Sequence, residues 1–374
     1  MKSLNEYHLL FTPCDRTCSF AGQLASLHAQ LHDAVAAHGG LVLMRRYFLS
    51  DAANQEPTLD EALQQEPFGA VSVVQQPPLD GSKVALWAYI VAAEGGEELT
   101  YENGLFTHNG YRHYWMGHAL PPQREPAPWS KRSVPEHQMV QLFEDYDMEL
   151  RAMDMTVADH CVRTWLFVHD VDVNYGGVVK GRNTYFRRIG LTPRTHFIAS
   201  TGIQGRTADA AVKVEMDAYA VGGLQPSQIV YLYGKSHLNS TYEYGVAFER
   251  GTAVTYGDRR HVFISGTASI DNQGAVLHVG DVCRQTERML ENVDVLLAEA
   301  EADFSHVAMA IVYLRDAADY AAVRTLFAQR FPAGSGFGID RCLFVHAPVC
   351  RPTWLIEMEC IAVVPVAEPD YQPF

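Results

Sequence analysis

The sequence has little positive charge for its size. It contains 29 Lys and Arg residues against 44 Asp and Glu residues, which gives a formal net charge of -15. Nucleic-acid phosphates are bound by clustered Lys and Arg, so this balance argues against a nucleic-acid-binding protein. No segment has the roughly 18 apolar residues that cross a bilayer, and residues 1–8 lack the basic-then-apolar order of a signal peptide. We therefore expect a cytoplasmic protein with no membrane segment.

Several motifs that carry chemistry are also missing. The sequence has no G-x-S-x-G, no G-x-x-x-x-G-K-[ST] and no H-E-x-x-H. Its 16 His residues are scattered, and its seven Cys residues are odd in number and mostly far apart. Cys14 and Cys18 form a C-x3-C pair, but no second pair has matching spacing. We therefore expect neither a disulfide scaffold nor a metal site, and no cofactor.

What the chain does contain is a weak internal repeat. Two apolar runs that end in Asp, at 164–170 and 310–316, lie 146 residues apart. Two acidic and apolar alternating runs, at 214–221 and 356–363, lie 142 residues apart. Because 374 residues suffice for two to three domains, the repeat predicts two tandem units of similar topology.

Each predicted unit has the order helix, strand, helix, strand, preceded by β-rich stretches. The predicted helices are 136–154 and 178–188 in one copy, and 283–301 and 320–330 in the other. The β-rich stretches are 71–74, 84–91 and 111–118, and then 253–256 and 261–269. The first 60 or so residues do not fit the repeat; we expect a helix at 22–38 and a polar loop at 51–67. The predicted domains are thus 1–64, 65–224 and 225–374, with the mixed α/β (α+β) fold class.

Two acidic residues in the last predicted strand are candidates for acid or base chemistry. Glu357 and Glu359 alternate with Ile356 and Met358, so both carboxylates share one face of the strand. Two neighbouring acids beside a buried face can have separated pKa values. The commoner fate of such a pair is a solvated outer face.

Five further residues are candidates for substrate binding, each with a more ordinary alternative. Arg341 precedes a strand and can hold a carboxylate, or it forms a surface ion pair with Asp340. Ser265 can donate to a substrate oxygen, although Ser in S-G-T is more often a turn residue. Phe248 and Arg250 offer an aromatic face and a cation, or a solvated turn. Cys350 has no neighbouring base, which favours a structural thiol.

Residues 259–364 resemble the Rid family, also called YjgF-like, and the name endoribonuclease L-PSP is attached to the same family. The resemblance rests on HVFISGTASIDNQG, on CRQTERMLENVDVLLAEAEADFSHVAMAIVYLRDAADYAAV and on IDRCLFVHAPVCRPTWLIEMECIAV. It implies a β-sheet packed on two helices, related to the chorismate-mutase-like fold, and a homotrimer with clefts between subunits. Residues 65–221 resemble the same fold more loosely. The net charge argues against a ribonuclease role here.

The two-unit chain is similar to the chorismatases, through GVAFERGTAV and ASTGIQG. Glu249 stands where that family has Ser, and Gln204 is inserted before Gly205. Both resemblances imply that Glu357 is the acid or base. The Rid resemblance implies that Arg341 binds the substrate carboxylate and that Ser265 is a pocket residue, and the chorismatase resemblance implies that Cys350 lies near a pocket residue. The helix around 323–325 lacks the Asn of the Rid deaminases, which weakens a deaminase assignment.

Three functions follow from these resemblances. The first is hydrolysis of chorismate, or its conversion to a hydroxybenzoate, with release of pyruvate and no metal or cofactor. The second is deamination of a 2-imino acid or enamine, with Arg341 on the carboxylate and Glu357 positioning water. The third is a non-catalytic ligand-binding protein on the Rid fold, since a fold does not determine a function. All three expect a small anionic ligand.

Overall fold

The computed structural model describes residues 3–66, 69–95, 99–102 and 104–374. Within these residues the strands form three β-sheets, which follow one another along the chain. We call the parts of the chain that build them the first, second and third units. The two predicted tandem units are confirmed as the second and third units.

The first unit has four strands in the order β1-β4-β2-β3. Its elements are β1 (Leu4–Phe11), α1 (Phe20–His38), β2 (Leu41–Leu49), α2 (Ala52–Leu63), β3 (Ala70–Gln75) and β4 (Val84–Ala93). The predicted helix at 22–38 is confirmed as α1. The prediction of a loop at 51–67 is wrong over Ala52–Leu63, which forms α2. Ala52, Gln55 and Leu59 recur at helical spacing and form the buried face of this helix. Residue 67 of that loop lies outside the described residues.

The second unit has six strands in the order β5-β6-β7-β10-β8-β9. Its elements are β5 (Tyr101–Glu102), β6 (Leu105–His108), β7 (Tyr111–Ala119), α3 (Val134–Ala152), α4 (Val157–His160), β8 (Cys161–Val168), α5 (Val171–Arg188), β9 (Ala199–Gln204) and β10 (Val214–Gly222). The β-rich stretches 71–74 and 84–91 were predicted to belong here. They form β3 and β4 instead, because their backbone hydrogen bonds go to β1 and β2 of the first sheet.

The third unit has six strands in the order β11-β12-β13-β16-β14-β15. Its elements are β11 (Ile229–Leu232), β12 (Gly251–Thr255), β13 (Arg259–Ala268), α6 (Val282–Glu299), β14 (Val307–Leu314), α7 (Tyr320–Arg330), β15 (Cys342–His346) and β16 (Ile356–Pro365). The amphipathic pattern predicted α6 and α7 to within two residues. Asp281 caps α6 by accepting from the Arg284 amide at 3.0 Å.

The N-terminal part was predicted not to fit the repeat, and this prediction is wrong. In each unit a strand, a helix, a strand, a helix and two further strands build the same four-strand order, with one parallel pair at the edge. The first unit lacks only the additional strands before this core. The first sheet contains strands from both sides of position 64/65. The division of the chain into domains therefore stays a prediction, and we propose that its first boundary lies between residues 93 and 101.

Three equivalent hydrogen bonds link the three units in cyclic order. Gln75, Gln204 and His346 occupy the same register in the edge strands β3, β9 and β15, opposite Leu49, Val168 and Leu314. The amide of each donates to a carbonyl of the next unit: Gln75 to Arg206 (2.8 Å), Gln204 to Pro348 (3.1 Å) and His346 to Pro77 (2.8 Å). Each acceptor lies two residues beyond the aligned position of its own unit. The three units of a single chain are therefore joined in a ring.

The units meet through a core that contains buried ion pairs. Arg46 of the first unit donates from Nε to Asp217 Oδ2 of the second at 2.9 Å, and its guanidinium stacks on Trp165 at 4.6 Å. Arg163 of the second unit donates to Glu359 Oε2 of the third at 2.8 Å. Buried charges are tolerated only when they are paired in this way, so these contacts hold the units in one relative orientation.

Candidate active site

A cavity lies between the second and third units. Its residues come from α5 and β9 on one side and from β13, β16 and the adjoining loops on the other; they are Tyr175, Arg182, Ser200, Gly202, Val246, Phe248, Arg250, Gly266, Ala268, Ile270, Cys350, Arg351, Trp354 and Glu357. The walls are joined by the Ser200 amide donating to Ser265 Oγ (2.9 Å) and the Gly266 amide donating to Thr201 Oγ1 (2.9 Å). Apolar side chains and a few polar groups line the cavity together, which is the composition of small-molecule sites.

Glu357 provides the acid of this cavity. It lies on β16 with its side chain 4 % exposed, so the solvated outer face that is commoner for such residues does not apply. Burial, reinforced by the neighbouring charge of Glu359, raises the pKa of Glu357 to about 8, although Arg250 and Arg163 oppose the shift. The carboxyl group is therefore mostly protonated at neutral pH and can donate a proton.

Glu359 lies on the same face of β16 but does not line the cavity. It accepts from Arg163 at 2.8 Å and from Trp165 Nε1 at 2.8 Å, and it also accepts from the Thr201 hydroxyl. These contacts fix Glu359 in the interface between the units. The charge of Glu359 favours the protonated form of Glu357. Glu359 is therefore the structural carboxylate of the pair, and Glu357 is the candidate acid.

The segment 248–250 brings an aromatic ring and a cation to the cavity, as the sequence analysis predicts. The Arg250 guanidinium stacks on the Phe248 ring at 5.5 Å, and both residues line the cavity. Glu249 does not: its carboxylate accepts from the Phe197 amide at 2.7 Å. The residue that departs from the chorismatase pattern therefore links the two units beside the cavity.

Of the predicted residues Ser265 and Cys350, only Cys350 lines the cavity. Ser265 is fully buried behind the cavity wall, where its hydroxyl donates to Glu249 O at 2.6 Å and accepts from the Ser200 amide. Cys350 lines the cavity. Burial, together with the nearby Glu357 charge, raises the pKa of its thiol to about 12, so Cys350 is a neutral thiol.

Arg341 does not line this cavity. This corrects the prediction that Arg341 and Glu357 contact the same substrate. Arg341 precedes β15, where Nη1 donates to Val307 O at 3.1 Å. In strand register, Cys342 of the third unit, the residue after Arg341, corresponds to Ser200 of the second unit. The wall opposite Glu357 is formed by the edge strand of the second unit and not by the edge strand that follows Arg341. The edge of the third unit packs near the first sheet instead, where Ala85 holds the position equivalent to Glu357.

The sequence analysis missed three residues that line the cavity together with Glu357. Tyr175 and Arg182 come from α5 of the second unit, and Arg351 from the loop before β16. Arg182 is 1 % exposed and its guanidinium lies 5.8 Å from the centre of the Phe248 ring. Tyr175 and Arg182 are seven residues apart, two turns of one helix face, and this spacing was the signal available in the sequence.

In the part of the chain that the structure describes, no three His, Cys, Asp or Glu side chains lie close enough to hold a metal ion. None of the helices described combines the length and the apolar composition that a membrane crossing requires.

Comparison with known proteins identifies the family to which this chain belongs. The family model for endoribonuclease L-PSP matches residues 251–364. The 3-aminoacrylate deaminase RutC of Acinetobacter baylyi is 37% identical over 103 residues, which are 28% of this chain and 79% of that protein. A RutC family protein of Pyrococcus abyssi is 33% identical over 103 residues, 27% of this chain and 76% of that protein. The chain therefore belongs to the Rid family, as its sequence resemblance predicts.

A solved structure resembles the whole chain. A chorismatase crystal structure superposes with a TM-score of 0.66 and 17% sequence identity, covering 97% of this chain and 99% of that one. At this identity the match concerns the fold. The chain is thus a Rid-family protein whose fold is chorismatase-like along nearly its whole length.

Proposed function

We propose that this protein is an enzyme of the Rid/chorismatase type that acts on a small anionic carboxylate, with chorismate as the leading candidate substrate. The observation that carries the proposal is the buried carboxyl group of Glu357, whose pKa is raised by burial, in a cavity that three arginines also line. The chorismatase-like fold over 97% of the chain supports it.

The charges around the cavity favour an anion with more than one carboxylate. Arg182, Arg250 and Arg351 contribute three positive charges, whereas the acid among them is mostly neutral. Guanidinium groups bind carboxylates through charge-assisted hydrogen bonds. On a chain with a net charge of -15, these arginines are the groups to which we expect an anionic substrate to bind.

The proposed chemistry requires only proton transfer and water. Glu357 donates its proton to the terminal carbon of an enolpyruvyl ether, and water adds to the resulting oxocarbenium carbon while its proton returns to Glu357. The hemiketal then breaks the bond between its central carbon and the ring-bound oxygen, which takes the proton of the hemiketal hydroxyl, so that pyruvate and an alcohol are released. Alternatively, the ring carbon loses the enolpyruvyl oxygen and the ring loses one C–H proton, which gives pyruvate and a hydroxybenzoate without consuming water. Acid catalysis of this type contributes about 10²–10⁴-fold, and positioning supplies much of the rest.

Imine or enamine deamination is the second candidate, because the matched relative from Acinetobacter baylyi is named a 3-aminoacrylate deaminase. In that case a 2-imino acid would occupy the same cavity, and Glu357 would position water. The deaminase resemblance assigns the carboxylate to Arg341, which lies outside the cavity lining. Because the chorismatase-type prediction also places a carboxylate on Arg341, this position does not separate the two candidates.

The functional unit proposed here is a single chain. A homotrimer is what the Rid resemblance predicts, but three units of the same topology already form a ring within one chain. The cavity is completed by two units of that chain, so no second copy is needed to build it.

Two assays separate the candidates. Purified protein is incubated with chorismate and pyruvate is measured; in parallel, ammonia release is measured from an enzymatically generated imino acid. Pyruvate release that is lost in Glu357→Gln supports the proposal. Ammonia release without pyruvate release assigns the deaminase function. A chorismate-induced rise in melting temperature with neither product identifies a binding protein, and overturns the proposal.

A further inference from the structure

The junction between the first and second units repeats the arrangement of the candidate active site. Glu215 in β10 lies at the register of Glu357 in β16, and each lies near a β-bulge of the neighbouring strand, in which two residues stand opposite one. The second residue of the bulge is Gly266 in the third unit and His118 in the second. Equivalent positions thus carry no side chain in one junction and an imidazole in the other.

The residues that flank the acid also recur. Glu56 is the fifth residue of α2 and Tyr175 the fifth residue of α5, while Ala208 and Cys350 each lie seven residues before the acid of their unit. The Glu56 carboxylate accepts from the Ala208 amide at 2.7 Å, and the Tyr175 side chain forms a hydrogen bond with Cys350. The first unit therefore contributes to its junction as the second unit contributes to the candidate active site.

The His118 side chain stands where the candidate active site is open. A side chain at position 266 would run into the Glu357 carboxyl. At position 118 a side chain is present, and its Nδ1 lies 3.0 Å from Glu215 Oε2. Glu215 is 2 % exposed, and its Oε1 has no hydrogen-bond partner among the described residues. The imidazole thus provides a partner to a buried carboxyl that would otherwise be poorly satisfied.

The charges in the two junctions have opposite sign. The candidate active site is lined by three arginines, which are Arg182, Arg250 and Arg351. Around His118, burial lowers the pKa of the imidazole, but Glu215, Asp217 and Glu56 together raise it to about 9. His118 is therefore an imidazolium at neutral pH. The acids of this junction suit a cation, whereas the arginines of the candidate active site suit an anion.

We propose that the junction around Glu215 is a second, cation-binding site whose occupant is the imidazolium of the chain's own His118. It is a closed copy of the candidate active site, so of these two junctions only the one that contains Glu357 is open to a ligand. Removing the His118 side chain should leave a space of the size of imidazole beside a buried carboxylate. The proposal is independent of the substrate proposed above.

The backbone at His118 makes glycine the appropriate replacement. His118 has a φ of 55°, in the left-handed region that residues with a Cβ rarely adopt. Its amide donates to Asp217 Oδ1 at 2.8 Å, which holds the backbone in place. Because glycine adopts this φ without strain, His118→Gly removes the ring and lets the backbone keep its conformation.

The test uses His118→Gly of the full chain, with imidazole as the probe at neutral pH. Imidazole should raise the melting temperature of His118→Gly in a saturable manner and leave that of the wild type unchanged. Adding Glu215→Gln should weaken imidazole binding by about tenfold, the equivalent of one lost hydrogen bond to a charged group. Acetate at the same concentrations should have no such effect, because the site is acidic.

His306→Gly is the matched control. The His306 ring is about as exposed as that of His118 and also lies 3.0 Å from a carboxylate, but this carboxylate, of Asp303, is exposed. No saturable response is expected from this variant. An equal response in His306→Gly overturns the proposal, because it indicates a general effect of imidazole. The absence of a saturable response in folded His118→Gly overturns it as well.

A second readout uses the wild-type protein, so it decides the question even if His118→Gly does not fold. The ring nitrogen chemical shifts of His118, measured by NMR on protein with ¹⁵N-labelled histidine, should show an imidazolium at neutral pH. In Glu215→Gln the pKa of His118 should fall, because the largest favourable contact of its charge is lost. A neutral His118 ring in the wild type at neutral pH overturns the proposal.

Discussion

The Glu357 carboxyl lies directly against the backbone of Gly266, so that a Cβ on residue 266 would come within 2.0 Å of Oε1. The strand β13 therefore has no side chain at the position where it faces the candidate acid. This contact explains why a glycine follows Ser265 at the centre of the site.

Gly266→Ala should displace the Glu357 carboxyl and reduce kcat/KM for pyruvate release by about 10²-fold, since small misplacements of reacting groups have costs of that size. Gly176→Ala is the matched control, because a Cβ there meets no atom within 4 Å and Ala favours the helix α5. Steady-state kinetics on both variants check the prediction. Full activity in Gly266→Ala would contradict the close contact.

The pH dependence of stability should carry the signature of Glu357. Its pKa of about 8 in the folded protein lies above the ordinary value of 4.5, so its contribution to stability is fully present below about pH 4.5. It is lost progressively as pH rises toward 8, because the unfolded chain releases a proton that the folded protein retains. Glu357→Gln removes this dependence.

Thermal unfolding at pH 5 and at pH 8.5 measures the effect. The melting temperature of Glu357→Gln relative to the wild type should increase between the two pH values. A difference that stays constant with pH would mean that Glu357 is ionised in the folded protein, and would remove the proposed acid.

Arg182 should contribute to substrate affinity from the second unit. Arg182→Met keeps most of the side-chain length but removes the charge, so KM for chorismate should rise by about 10- to 100-fold. Arg188→Met is the control on the same helix, because Arg188 is half-exposed and pairs with Glu144 at 2.6 Å. Equal KM values for the two variants would place substrate binding elsewhere.

A single chain should be active. Size-exclusion chromatography with light scattering is expected to give a mass near 41.7 kDa for the active fraction. Activity that appears only in a trimeric fraction would restore the homotrimer predicted from the Rid resemblance and would show that the internal ring of three units is insufficient.

The repeat in the second and third units could be read from the sequence because their paired strands keep the same residue pattern. Glu357 was predicted from the alternation of Glu357 and Glu359 with Ile356 and Met358 and from the family resemblance, and Glu215 holds the equivalent position 142 residues earlier. The first unit was missed because its pattern has diverged: Ala85 and Trp87 stand where the third unit has Glu357 and Glu359. Its shared topology is visible only from strand pairing.

The composition of the cavity was harder to predict because it is assembled across two units. Arg341 resembles the family arginine in sequence, yet the edge strand that faces Glu357 is β9 of the second unit. Arg182 lies on α5, 175 residues before Glu357, and no local pattern connects the two. Residues that meet across an interface leave little signal in one sequence.

Glu215 permits the most direct test of the central claim. It lies at the register of Glu357 in the second unit and is also buried, but it pairs with His118 at 3.0 Å in a different interface. The measurement is the rate of pyruvate release from chorismate by the wild type, Glu357→Gln and Glu215→Gln, with folding checked by circular dichroism. The account predicts a loss of about 10²–10⁴-fold in Glu357→Gln and near wild-type rates in Glu215→Gln. Retained activity in Glu357→Gln would contradict it.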